Sequence, residues 1–204
     1  VYYSCDKQTL RAEIYEPNTN PKVLKNNNTN TDTPQTLDAF CDANWGGETV
    51  DGAKSTTGTL IYFGGSLISW TSKLQSTVAL STAESEHTAA FDTSRTVLYF
   101  RQFLEELGLK QEAPTTIFED NTACIAQSKN PVNHNRNRHM LLRYHYLRDM
   151  VDQGHVTLQY IKTTDQVADI MTKPLNSKDF SRLSPFLVRA SPLSTPSSSS
   201  STPS

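Results

Sequence analysis

Cysteine is scarce in this 204-residue chain and poorly placed for chemistry. Cys5, Cys41 and Cys124 are odd in number and contain no close pair, which argues against both a disulfide framework and a cysteine zinc site and favours reduced packing residues in an intracellular protein. No apolar run is long enough to cross a bilayer, and the first residues lack a secretory leader, so the Asn27-Asn28-Thr29 sequon carries no weight. An excess of positive charge is missing too. The net charge is −2, so the chain is not a polycation held on nucleic acid by charge alone, and any such binding must be local. One stretch lacks the opposite sign: from Asn121 to Arg148 there is no acidic residue, while Lys129, Arg136, Arg138, Arg143 and Arg148 alternate with His134, His139 and His145. That run is either a solvated helix face or a stripe that grips phosphates. The histidines have no carboxylate or cysteine at ligand spacing and are not read as a metal site.

The ends of the chain are polar. Residues 1–24 have too few apolar positions for a core, and 25–35, rich in Asn and Thr, read as a linker. The Ser, Pro and Thr of residues 191–204 cannot bury enough apolar surface to offset ordering entropy, and are expected to form a disordered tail. The opening Val1 suggests a piece of something longer. One domain is expected over residues 36–190.

Within it, Leu37 to Asp42, Thr57 to Phe63 and Leu67 to Ser72 read as three hairpin-linked strands, with Gly64-Gly65 as a turn. Ser81 and Glu84 form a capping box that opens a long helix ending at Leu107 before Gly108. Thr115 to Phe118 is a fourth strand; a short helix from Thr122 is broken by Asn130-Pro131, and another runs from Met140 to Gln153. Val156 to Ile161 is a fifth strand, and a last helix from Thr163 or Thr164 carries Asp169 to Pro174. This order predicts an α/β fold: a mixed five-stranded sheet, three antiparallel strands then two parallel, flanked by helices. Sites in such sheets form where the carboxyl ends of neighbouring strands diverge. If strands one and four are neighbours, Asp42 and Asp120 meet there, within reach of Glu86 and Asp169 from helices.

Those four acids lie in short motifs: Asp42 in Leu37-Asp-Ala-Phe-Cys-Asp-Ala-Asn-Trp45, Glu86 in Ser81-Thr-Ala-Glu-Ser-Glu-His87, Asp120 in Ile117-Phe-Glu-Asp-Asn121 and Asp169 in Gln166-Val-Ala-Asp-Ile-Met-Thr-Lys-Pro174. Taken singly, each aspartate reads as a cap or turn residue. Gathered at one spot they would repel one another, which makes sense mainly around hard cations. Asn121 reads as a helix cap or, alternatively, as a contact to a sugar 2′ hydroxyl. Trp45 and Trp70 read as core or rim packing, with stacking on a base or sugar as the alternative.

Asp42-Ala-Asn-Trp-Gly46, Lys54-Ser-Thr-Thr-Gly-Thr59, Gly64-Gly-Ser-Leu-Ile-Ser-Trp-Thr-Ser-Lys73, Leu80-Ser-Thr-Ala-Glu-Ser-Glu86, Asp120-Asn-Thr-Ala-Cys-Ile-Ala126, Lys129-Asn-Pro131 and Ala168-Asp-Ile-Met-Thr-Lys-Pro-Leu175 together resemble the ribonuclease H domain of copia-type LTR retrotransposon polyproteins. The resemblance covers most of residues 37–187; residues 1–15 look like the edge of a preceding reverse transcriptase domain. It implies a ribonuclease H-like fold and an endonuclease that hydrolyses the RNA strand of RNA/DNA hybrids. The implied ligands of two Mg²⁺ ions, replaceable by Mn²⁺, are Asp42, Glu86, Asp120 and Asp169, with Glu84 competing with Glu86. Asn121, Lys73, Arg136, Arg138 and Arg143 are the candidate nucleic-acid contacts. The expected partners are an RNA/DNA hybrid and the reverse transcriptase domain of the same polyprotein, with no membrane and no small-molecule cofactor; the expected compartment is the cytoplasm, in a retrotransposon particle, or the nucleus. The chain departs from cellular relatives in the loop before the last aspartate, where Lys162-Thr-Thr-Asp-Gln166 contains no histidine. Two other readings stand beside this one: a catalytically silent remnant acting at most as a hybrid- or protein-binding module, and an integrase-like nuclease, which would use three acids and lack the Gly-Gly-Ser-Leu-Ile-Ser-Trp segment.

Overall fold

The computed structural model describes residues 35–46, 54–129 and 138–187, with backbone only at 138 and 139. The expected reverse transcriptase edge, most of the linker, the Ser/Pro tail and Arg136 lie outside the described residues.

Five strands form one sheet in the order β3-β2-β1-β4-β5: β1 (Leu37–Asn44), β2 (Thr56–Phe63), β3 (Ser66–Leu74), β4 (Thr115–Glu119) and β5 (Val156–Tyr160). β1, β2 and β3 pair antiparallel, and β4 pairs parallel with β1 and with β5. The expected mixed sheet is therefore present, with strands one and four adjacent. Gly64 and Gly65, both at positive φ (56° and 76°), close the β2–β3 hairpin, as a two-residue turn matched to strand twist requires.

Alternation along β1 splits its side chains between two cores. Ala39, Cys41 and Ala43 join Ile61, Ile117 and Leu158 beneath α1 (Thr82–Glu106), which contributes Ala89, Ala90, Val97 and Leu104, and α3 (Arg138–Asp152), which contributes Leu147 and Met150. On the opposite face Phe40 packs with Leu60, Tyr62, Phe118, Ile161, Val167 and Ala168; its ring lies 4.8 Å from Phe118 and edge-on to Tyr62 at 5.6 Å. Burying each such large side chain contributes about 1.5–3 kcal/mol.

The start of α1 follows from its capping residues. The Ser81 hydroxyl accepts from the Glu84 N–H (3.2 Å), satisfying a donor that the helix N-terminus leaves free, and the Glu84 carboxylate reaches back past the cap to the Leu80 N–H (3.0 Å). After β4, α2 (Thr122–Lys129) is capped by Asn121, whose Oδ1 accepts from the Cys124 N–H at 3.1 Å.

The last helix differs from expectation. Instead of one helix from Thr163 to Pro174, the chain makes a 3-10 turn at Thr163–Asp165, a four-residue helix α4 (Asp169–Thr172), and then α5 (Ser177–Leu183). Gln166 causes the break. Its backbone is extended (φ −72°, ψ 101°), and its fully buried side chain donates from Nε2 to the carbonyl of Cys41 (2.8 Å) and lies 3.4 Å from that of Phe118. A buried amide that bridges the ends of β1 and β4 is satisfied only if the helix does not run through it. The unexpected α5 starts from Asn176, whose Oδ1 accepts from the Asp179 N–H at 2.9 Å.

Candidate metal centre

Register alone brings the first two acids together. β1 and β4 pair Phe40 with Phe118; two residues further on, at the carboxyl edge where the ladder has ended, Asp42 and Asp120 fall side by side. Glu86 enters from the first turns of α1. One carboxylate oxygen from each of Asp42, Glu86 and Asp120 lies within 4.8 Å of the others. Asp42 and Glu86 are buried and Asp120 is half-buried. Glu84, the alternative to Glu86, is committed to the helix cap.

Burial and mutual repulsion disturb these groups. The Glu86 carboxyl is pushed up to about 11, by burial first and then by the charges of Glu119, Asp42 and Asp120, against a lowering hydrogen bond from the Ala43 backbone. Its Oε2 is buried with no hydrogen-bond partner. Asp42 rises to about 6, again chiefly through burial, opposed by the Thr172 hydroxyl and reinforced by the Asp169 charge. An orphaned carboxylate oxygen in a group of oxygen donors fits a hard divalent cation, which would supply the positive charge these acids otherwise obtain from protons.

Asp169, the fourth expected acid, begins α4 beneath the same edge. It is buried, and its Oδ1 is paired with Lys173 Nζ at 2.7 Å. Thr172, one turn along, donates its hydroxyl to Asp42 Oδ2. Asp169 thus stands beside the three-acid group but carries its own counter-ion.

Three residues that shape this edge escaped the sequence reading. Glu119 is fully buried; its Oε1 accepts from the Asn121 N–H (3.0 Å) and its Oε2 from the Cys41 thiol (3.2 Å), which pins Asp120 between two fixed neighbours. Burial raises the Glu119 carboxyl to about 8, opposed by those two donors. Gln166 ties β1 to β4 immediately before Asp42 and Glu119. Gly58 is paired with Asp42 across the β1–β2 ladder; a Cβ there would lie 2.6 Å from Thr172 Cγ2, 2.8 Å from the Ala168 carbonyl and 2.8 Å from Met171 Cβ. Only glycine lets α4 sit this close to the sheet. A lone glycine inside a strand is the signal that could have pointed to it.

Of the expected nucleic-acid contacts, Lys73 and Arg143 line one cavity of about 180 Å³ between β2, β3 and α1, together with Arg95, which the sequence reading did not single out. Arg143 donates to Thr88 Oγ1 at 3.2 Å and lies 5.8 Å from the Phe91 ring centre. Arg138 opens α3, but its side chain is not among the described ones. Trp45 is a rim residue whose indole donates to the Ala79 carbonyl (3.0 Å), and Trp70 stands exposed on the edge strand β3.

This mixed sheet with helices on both faces is the ribonuclease H-like fold. Over 68% of the chain and 93% of the compared structure it matches LC11-RNase H1, isolated from compost, with a TM-score of 0.50 at 11% identity. No family model matches the chain, but its sequence relatives are specific. It is 40% identical over 144 residues to the Retrovirus-related Pol polyprotein from transposon TNT 1-94 of Nicotiana tabacum, covering 71% of this chain and 11% of the polyprotein. It is 38% identical over 148 residues to the corresponding polyprotein from transposon RE2 of Arabidopsis thaliana, covering 72% and 10%. The chain is a ribonuclease H-like domain whose homologues are retrotransposon Pol polyproteins, and it spans about a tenth of their length. The resemblance read from the motifs is borne out in homology and in fold.

Proposed function

We propose that the chain is a divalent-metal-dependent ribonuclease H that hydrolyses the RNA strand of RNA/DNA hybrids during retrotransposon reverse transcription. The observation that carries this reading is the meeting of Asp42, Glu86 and Asp120 at the carboxyl edge, with a buried Glu86 oxygen that no protein donor satisfies. Asp42, Glu86, Asp120 and Asp169 are the ligands, and Mg²⁺, with Mn²⁺ as substitute, is the ion an all-carboxylate set prefers. When bound, a pair of such ions supplies a nucleophilic water and charge stabilisation for in-line displacement at phosphorus. The protein's own part is positional. Gln166 and Glu119 fix the strand ends that present Asp42 and Asp120, and Thr172 orients the Asp42 carboxylate.

The hybrid is proposed to lie across this edge with one backbone near the cations Lys73, Arg95 and Arg143, whose contacts to phosphate hold register without reading sequence. The reverse transcriptase domain of the same polyprotein is the proposed covalent neighbour, and the retrotransposon particle in the cytoplasm, or the nucleus, the proposed compartment.

The test is cleavage by the 204-residue chain of labelled single-stranded RNA, duplex RNA and RNA/DNA hybrid, with and without Mg²⁺. Cutting only in the hybrid and only with the ion is expected. Asp120→Asn should lower the rate on the order of 10³-fold, since several kcal/mol of charge stabilisation depend on the acid set, while leaving the melting midpoint near that of the parent. Hybrid binding without cleavage by the parent chain would instead identify a silent binding module. Equal cleavage by parent and variant would refute the site.

A further inference from the structure

The acid edge is not uniform in charge. Around Asp42, Glu86 and Asp120 the described residues place no salt-bridged cation, and Glu86 Oε2 is buried and unpartnered. Around Asp169 a cation is already present: Lys173 Nζ lies 2.7 Å from Oδ1, four residues along the chain. The pair is built in by local backbone geometry. α4 stops after one turn, the Lys173 N–H donates to the Asp169 carbonyl at 3.2 Å, and the extended backbone of Lys173 (φ −148°, ψ 152°) turns its side chain back over that turn. Gly58 holds α4 against the sheet, so the ammonium stays at the edge of the acid group.

We propose that Lys173 is an internal counter-ion that divides the acid site in two: Asp42, Glu86 and Asp120 take a divalent cation directly, whereas Asp169 takes one only after the Lys173 ammonium has been displaced, so the two cation positions fill in that order. This rests on the metal-binding reading given above and goes beyond it by assigning a role to a residue that is not itself a ligand. The physical basis is competition. An ammonium 2.7 Å from a carboxylate oxygen offsets its charge, and an incoming cation must displace that charge. At Glu86 the incoming cation displaces no side-chain ammonium, and the unpartnered oxygen gains a partner. A displaced ammonium would remain tethered at the edge by its place directly after α4. Lys173 thus acts on the site through Asp169, and its release is coupled to the arrival of the second cation.

The experiment is a titration of the full 204-residue chain with Mn²⁺, free ion being counted by electron paramagnetic resonance. The parent chain should bind one ion and then a second at least about tenfold more weakly, a factor that corresponds to a one-unit charge effect at a carboxylate. Lys173→Met should strengthen the second step about tenfold and the first step by less, since the Lys173 charge acts on Asp42 and Asp120 as well as on Asp169. Lys173→Gln should do the same and serves if the methionine variant does not fold. Lys173→Arg, which keeps the charge, should resemble the parent, and Asp169→Asn should lose the second step alone. A second step unmoved in Lys173→Met and Lys173→Gln, or two equal steps in the parent, overturns the counter-ion role while leaving the metal site standing. No bound Mn²⁺ in any of the proteins would overturn both.

Discussion

The two faces of the sheet at its carboxyl edge solve the same electrostatic problem differently. On the α1 face, Glu86 is brought in on a 25-residue helix anchored by a full hydrophobic core, and one of its carboxylate oxygens, Oε2, is left without a partner. On the other face, Asp169 rides on a single helical turn over a smaller aromatic cluster and is neutralised within its own turn by Lys173. A rigid element can hold an unsatisfied acid in place, because its burial is supported by contacts far from the site. A four-residue helix has no such reserve, and its buried acid persists with a local counter-ion and a glycine-sized fit to the sheet. The firm half is therefore the one poised for a cation and the short half the one that must be opened.

The largest effect on this contrast should come from Gly58→Ala. The added methyl would meet Thr172, Ala168 and Met171 at 2.6–2.8 Å, and two of those contacts are to a backbone carbonyl and a Cβ that cannot swing away. Overpacking of this kind costs about 1–3 kcal/mol, and the strain falls on α4. The expected result is a lowered melting midpoint together with loss of the second, Asp169-dependent Mn²⁺ step, the first step being retained. Loss of both steps to the same degree would show that the two halves are not separable.

A smaller effect distinguishes Glu84 from Glu86 at the start of α1. Glu86 is raised from 4.5 to about 11 and Asp42 from 3.8 to about 6. Between its unfolded and folded values each group holds a proton in the native chain that the unfolded chain has released, so the stability it contributes is greatest below the unfolded value and is lost as pH rises. The metal-free protein should therefore melt at lower temperature at about pH 8 than at about pH 5, by about 2–4 °C for each kcal/mol lost. Glu86→Gln should flatten that slope. Glu84→Ala should instead lower the midpoint at every pH by the ~1 kcal/mol typical of a lost cap, with Mn²⁺ binding unchanged. Melting in a chelator, followed by Mn²⁺ titration of both variants, checks the pair. A collapse of metal binding in Glu84→Ala would exchange their assignments.

Part of this edge could be read from sequence because the short strand from Leu37 to Asp42 and the capping pair Ser81 and Glu84 are local signals. They fixed the strand and helix that carry Asp42 and Glu86, whereas the adjacency of strands one and four, a condition in the sequence, is supplied by the sheet order. The α4 half was less legible for a physical reason. Residues 163–173 have ordinary helical composition, and the feature that breaks them, the bridge from Gln166 to the Cys41 carbonyl, spans 125 positions. Glu119 was hidden by its neighbour, since two adjacent acids at a strand end look alike until one is seen buried against Cys41 and the Asn121 N–H. Gly58 gave only the faint sign of a glycine inside a strand, and Lys173 stands at an i,i+4 spacing from Asp169 that is common on any helix. Arg95 lies on the Thr88, Phe91, Asp92 face of α1, a spacing visible in the sequence but without meaning until β3 is placed beside it.

The central claim is that three carboxylates from separate parts of the chain form a divalent-cation site. The most direct measurement is anomalous diffraction from a crystal of the chain equilibrated with Mn²⁺. A peak between Asp42, Glu86 and Asp120, within coordination distance of Glu86 Oε2, is the result expected here; a fully ordered edge with no peak there, or with Mn²⁺ bound elsewhere only, would contradict it.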